Sequence, residues 1–133
     1  MNLSGKNIVI VDDDLPSVRY LDIMLKSTGA NTIVFNTGKA FVDYLGEEDK
    51  GIDIVFMDFL IPIINGIECV SEFRRERKNV PVIMITAYTS DLAKKDAFIS
   101  GCNEYILKPI YPEKIFSILE KYLMPNGSVP SSY

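Results

Sequence analysis

Residues 8–16 read IVIVDDDLP: four β-branched residues, then three carboxylates in a row, then a short lead into proline. A run that is apolar at every position, rather than at alternate ones, describes a strand buried on both faces, as in parallel sheets covered by helices. Asp12, Asp13 and Asp14 then sit together where that strand leaves the sheet. Carboxylates so crowded raise one another's pKa. A positive group is therefore expected among them.

Working outward, strand-like runs recur at Asn7–Val11, Thr32–Phe35, Ile52–Met57, Val80–Ile85 and Glu104–Leu107. Helical stripes alternate with them: Pro16–Thr28 stopped by Gly29, Gly38–Leu45 after a Thr37 cap, Gly66–Arg77 after Asn65, Asp91–Ile99 between Ser90 and Gly101, and Pro112–Leu123. The last of these begins on proline and repeats Ile115, Ile118, Leu119 and Tyr122 at helical spacing. Strict strand–helix alternation with short connections predicts an α/β fold, a parallel sheet with helices on both faces. Its ligand site belongs at the carboxyl ends of the central strands.

At 133 residues the chain has room for one domain, expected over 1–123, with 124–133 (MPNGSVPSSY) as a flexible tail or the start of a linker. A net charge of -4 argues against direct nucleic-acid binding. The one basic cluster, Arg74, Arg75, Arg77 and Lys78, is interleaved with Glu72 and Glu76 and reads as a solvated helix face. Cys69 and Cys102 have neither disulfide nor metal-ligand spacing and read as reduced core thiols of a cytoplasmic protein. No apolar run is long enough to span a membrane. With no histidine, the chain cannot use an imidazole base or carry a phosphoryl group on one.

The strand ends bring a short set of side chains to one edge: Asp12, Asp13 and Asp14, then Asp58, Thr86 and Lys108. A few carboxylates with open positions suit Mg²⁺ (or Mn²⁺), and a metal at Asp13 and Asp58 would relieve the repulsion at 12–14. A carboxylate beside such an ion can attack phosphorus to form an aspartyl phosphate. The transferring group needs its oxygens neutralised, for which a metal, the Lys108 ammonium and the Thr86 hydroxyl are suitable.

VDDD after the first strand, VFMDFLIPIINGIE with proline four and glycine eight residues past Asp58, ITA at strand four and YILKPI at strand five resemble, in order and placement, the receiver domain of two-component response regulators. The resemblance covers Lys6 to Leu123. It implies a flavodoxin-like (βα)5 three-layer sandwich with strand order 2-1-3-4-5. It further implies Asp58 as phosphoacceptor, Asp13 as a direct Mg²⁺ ligand, Asp12 as a ligand through water, the Leu60 carbonyl as a further ligand, Lys108 on the phosphoryl oxygen and a cis Lys108–Pro109 bond. Thr86 and Tyr105 would form the switch. Implied partners are a histidine kinase or histidine phosphotransfer protein, with homodimerisation through helix four, strand five and helix five. LSGKNIVIVDDD and SGCNEYILKPI look most like receivers attached to hybrid sensor kinases.

Taken alone, several of these residues have plainer readings. Asp14 reads as a helix cap, Thr86 as a strand-end hydroxyl, Tyr105 as a core aromatic and Lys108 as a surface lysine. Leu60 and Tyr88 stand where fast-dephosphorylating relatives carry polar side chains, so a long-lived phosphate is expected. The apolar run Phe59–Ile64 reads equally as a docking surface or as core edge. Two other functions compete: a receiver-like module that binds without phosphorylation, and a small phosphatase with an Asp nucleophile, which Asp12-x-Asp14 superficially fits.

Overall fold

The computed structural model describes residues 1–45, 51–59, 65–75 and 79–124. Within them the order is β1 (Asn7–Val11), α1 (Leu15–Lys26), β2 (Asn31–Phe35), α2 (Gly38–Leu45), β3 (Ile54–Met57), α3 (Gly66–Arg74), β4 (Val82–Thr86), α4 (Asp91–Ser100), β5 (Glu104–Leu107) and α5 (Pro112–Leu123). The strands form one parallel sheet in the order β2-β1-β3-β4-β5, the flavodoxin-like arrangement expected.

The all-apolar strands explain the three layers, because successive side chains point to opposite faces. Val9, Val11, Val55, Met57, Val82 and Met84 pack with Phe41, Cys69 and Phe73 under α2, α3 and α4. Ile8, Ile10, Ile54, Phe56, Ile83 and Ile85 pack on the other face with Leu21, Leu25, Ile115 and Leu119 of α1 and α5. Both cysteines are free and buried, as read from their spacing.

Helix starts follow local chemistry. Asn65 Oδ1 accepts from Glu68 N at 3.0 Å, Ser90 Oγ from Ala93 N at 3.2 Å and Thr37 Oγ1 from Ala40 N at 3.1 Å. Several ends differ from expectation. α1 stops at Lys26 because the Ser27 and Thr28 hydroxyls turn back onto the Met24 and Leu25 carbonyls. β4 starts at Val82 rather than Val80, since Pro81 has no N–H for the ladder and only its carbonyl is used, by Val55 N. β3 begins at Ile54, β2 at Asn31, and α4 runs on to Ser100. The predicted end of α3 at Arg77, the tail from 125 onward and residues 60–64 lie outside the described residues.

Arg74 corrects the reading of a wholly solvated basic face. Its guanidinium donates to Gly101 O at 2.9 Å, Val80 O at 2.6 Å and Asn103 Oδ1 at 2.8 Å, tying α3 to the approaches of β4 and β5. Asn103 Oδ1 also accepts from Val82 N at 2.8 Å. Gly101, at φ 119°, lies against the Arg74 stem, where a Cβ would come within 2.8 Å of Cγ. Both the left-handed turn and the close approach call for glycine here.

Candidate functional site

Three of the candidate residues at the carboxyl edge are each fixed by a backbone bond to the neighbouring strand. Asp12 N donates to Phe35 O at 3.1 Å, Asp58 N to Val11 O at 2.9 Å and Lys108 N to Thr86 O at 2.8 Å. These residues extend the ladder by one step, so the sheet itself aims them. Gly66 presses on the same strand from above. Its N–H donates to Phe59 O at 2.9 Å, and a Cβ there would lie 2.7 Å from Asp58 O.

The positive group called for by the three carboxylates is Lys108. Its Nζ lies 3.0 Å from Asp12 Oδ2 and 3.2 Å from Asp58 Oδ2, so one ammonium from β5's end spans β4 to reach two carboxylates. Asp12 and Asp58 are both 7% exposed. Burial pushes the Asp12 carboxyl up, opposed by the Asp14 N–H and by Lys108, with the charge of Asp58 raising it further. For Lys108 burial acts downward, but the bond to Asp12 and the two carboxylate charges outweigh it and raise the ammonium's pKa. The lysine is charged at neutral pH and is no surface lysine.

Asp13 is exposed, yet one oxygen each from Asp12, Asp13 and Asp58 lie within 4.8 Å of one another. Magnesium–oxygen distances of about 2.0–2.1 Å put opposite ligands of an octahedron roughly 4 Å apart, so this oxygen-only set fits a Mg²⁺ ion after a small contraction. Leu60, the fourth expected ligand, lies outside the described residues.

Asp14 occupies the position before α1 expected of a cap, but its carboxylate takes the Ser17 hydroxyl instead of a helix N–H. That hydroxyl holds its carboxyl below the usual range. So engaged, Asp14 is not one of the three clustered acids, and the Asp12-x-Asp14 reading loses its second member.

Thr86 is the last residue of β4 and fully buried, its Oγ1 accepting from Tyr88 N at 3.2 Å. The Tyr105 hydroxyl donates to Tyr88 O at 2.8 Å. Phe59, next to Asp58, packs on Tyr88 at 5.3 Å and on Tyr105 at 6.4 Å between ring centroids. Sequence reasoning missed this aromatic trio because its members are far apart in sequence, Phe59 and Tyr88 just past the ends of β3 and β4 and Tyr105 within β5. The signal lay in aromatic residues following both Asp58 and Thr86 closely. Lys108–Pro109 is cis, as expected.

The profile of the response regulator receiver domain matches residues 8–120. The heme response regulator HssR of Staphylococcus epidermidis is 31% identical over 120 residues, covering 87% of this chain and 52% of that protein. The DNA-binding response regulator MtrA of Mycobacterium tuberculosis is 30% identical over 131 residues, covering 98% and 56%. The chain thus spans about half the length of these curated relatives. A chain of the CheX–CheY–BeF3–Mg²⁺ complex from Borrelia burgdorferi matches with a TM-score of 0.82 at 31% identity, covering 90% of each chain. A parallel 2-1-3-4-5 sheet with this profile running from β1 into α5 leads to one conclusion: the chain belongs to the response regulator receiver domain family.

Proposed function

We propose that this receiver accepts a phosphoryl group on Asp58 from the phosphohistidine of a histidine kinase or phosphotransfer protein, and that the gain of charge controls an output partner. The observation that carries the reading is the shared Lys108: a buried Asp58 carboxylate with an ammonium 3.2 Å away and two further carboxylates within reach of one cation. Asp58 supplies the attacking oxygen. The O–P bond forms as the donor's P–N bond breaks, and the departing imidazole takes a proton. Mg²⁺, held by Asp12, Asp13, Asp58 and the Leu60 carbonyl, would neutralise phosphoryl oxygens. Lys108 holds one of those oxygens in place of its bond to Asp58, and the Thr86 hydroxyl turns toward another. As Thr86 turns, Tyr88 N loses its acceptor, and Tyr105, bonded to the carbonyl of that same residue, feels the change.

Leu60 and Tyr88 put an aliphatic chain and a ring, in place of polar side chains, at the two positions from which an attacking water would be oriented. The phosphorylated state is therefore long-lived, outlasting seconds in Mg²⁺, and Tyr88→Glu shortens it. Output runs through α4, β5 and α5, where Leu92, Ile99 and Leu107 are exposed and suit a homodimer or a partner. The nucleic-acid binding named for MtrA would belong to a different part of such a regulator, since the described residues of this chain show no basic stripe. No helix among them is long and apolar enough to cross a membrane.

The test is intact mass after incubation with Mg²⁺ and acetyl phosphate. One added phosphoryl group is expected, abolished by EDTA and by Asp58→Asn. A folded protein that gains none favours the module that binds without phosphorylation.

A further inference from the structure

An asparagine followed by glycine is chemically labile in an open chain, because no side chain on the glycine hinders its nitrogen from attacking the asparagine carboxamide. Two such pairs occur here, Asn65–Gly66 and Asn126–Gly127. At 66 the packing demands glycine: a Cβ would lie 2.7 Å from Asp58 O and 2.8 Å from Phe59 Cα. Any side chain would push α3 off the end of β3, so the labile pair comes with the seating of that helix.

The fold opposes the reaction from both sides. The Gly66 N–H is buried and donates to Phe59 O at 2.9 Å, while the Asn65 carbonyl, at the other end of the same peptide group, accepts from Cys69 N at 3.0 Å. Asn65 Oδ1 is engaged too, accepting from Glu68 N at 3.0 Å, which holds the exposed side chain over the helix. Ring closure requires the Gly66 nitrogen to shed its proton and swing toward Asn65 Cγ. That cannot proceed while the peptide group is clamped at both ends, so the first turn of α3 must come undone before the reaction starts.

We propose that Asn65 is a covalent modification site gated by local opening at the start of α3. When that turn lifts off Phe59, the Gly66 nitrogen attacks Asn65 Cγ, a C–N bond forms as the bond from Cγ to the amide nitrogen breaks, and ammonia leaves with the Gly66 proton. Water then opens the cyclic imide at either carbonyl, giving aspartate or isoaspartate. Aspartate caps a helix as well as asparagine does. Isoaspartate carries the main chain through one more carbon, so Gly66 can no longer both reach Phe59 O and lie against Asp58 O. The inference stands apart from phosphoryl transfer, because it needs only the clamp and its opening.

The experiment incubates the full chain in mildly alkaline buffer and in guanidinium chloride, then measures deamidation at each pair by peptide mass. In denaturant the two pairs should react at similar rates. In buffer Asn65 should react about a hundredfold more slowly than in denaturant, the scale of a local opening. Ile115→Ala weakens the fold from the opposite face of the sheet to α3 and should leave the rate at Asn65 in buffer unchanged. Equal rates in buffer and denaturant overturn the protection, and a rate that rises in Ile115→Ala with the global unfolding constant overturns the local gate. The products are tested in Asn126→Ser, which removes the second pair: its aspartate and isoaspartate forms at 65 are separated after reaction in denaturant and refolded. A lower urea midpoint is expected for the isoaspartate form, and equal midpoints would overturn the loss of the seat. Acetyl phosphate labelling of Asp58 enters none of these readouts, so either reading can fail without the other.

Discussion

α4 and α5 are neighbours in sequence across β5, yet they are attached by different means. α5 sinks Ile115, Ile118 and Leu119 to 3% exposure or less. Its end is tied to β5 by Lys121 Nζ, 2.8 Å from Glu104, and by the Tyr122 hydroxyl on the same carboxylate. α4 turns only Ala93 and Ala97 inward, while Leu92 and Ile99 remain 68% and 73% exposed. Burial free energy scales with apolar area, so two methyl groups hold α4 where three branched chains hold α5. On the proposed reading, the difference teaches which helix would answer a change at Thr86 and which would give it a fixed frame.

The sharpest way to break this comparison is by truncation. Ile115→Ala should cost about 2–5 kcal/mol in urea unfolding, the range for deleting a buried aliphatic chain. Ala97→Gly, which removes the more deeply buried of α4's two anchors, should cost about 1 kcal/mol, mostly helix propensity. Equal losses would mean that α4 is held as firmly as α5.

Cysteine labelling gives a finer measure. Burial pushes the Cys69 thiol up to about 12 and the Cys102 thiol up to about 11, so neither forms thiolate at neutral pH while folded. Both should resist a maleimide or disulfide reagent at pH 7.5 and react together at the rate of global unfolding. Early labelling of Cys102 alone would show that the joint between α4 and β5 opens by itself.

The smallest effect concerns acid. The bonds from Lys121 and then Tyr122 hold the Glu104 carboxyl below its ordinary value. A lowered carboxylate contributes stability at pH above its unfolded pKa, and that contribution is lost as pH falls through the folded value. Glu104→Gln should therefore cost a little stability at pH 7 and progressively less as pH falls below the ordinary carboxyl value, read as the difference in urea midpoint between the two proteins.

The fold was legible because the strands are apolar on both faces and several boundaries are plain: Gly101, Pro112 and the caps at Asn65 and Ser90 act where expected. Errors fell at strand starts, where a side chain such as Pro81 or Asn103 decides whether a ladder bond forms, and at the ends of α1 and α4, and periodicity carries no trace of either. The acids and the lysine of the site were legible for the same topological reason, since strand ends share an edge. What stayed hidden was pairing across the sheet. Nothing in the spacing distinguishes Lys108 bridging Asp12 and Asp58 from Lys108 in solvent, or foretells that Arg74 leaves its solvated neighbours to clasp Gly101 and Asn103.

That clasp sets the mechanics of α4. At its C-terminal end Gly101 O is held by Arg74 and Asn103 N donates to Val82 O at 2.7 Å, whereas the loop leading into its N-terminal end is secured by the Thr86 and Tyr105 hydroxyls on the Tyr88 backbone and by the Ser90 hydroxyl. Under the proposed switch the helix would act as a lever with its fulcrum at Gly101. Ten residues make an arm of about 15 Å, so a tilt of roughly 4° moves the end near Thr86 by about 1 Å. A hydroxyl-sized rearrangement beside Asp58 is matched to that travel. Loosening the fulcrum by Arg74→Lys, which cannot make the same fork of bonds, would let the arm slide as well as turn and blunt the transmission of the stroke.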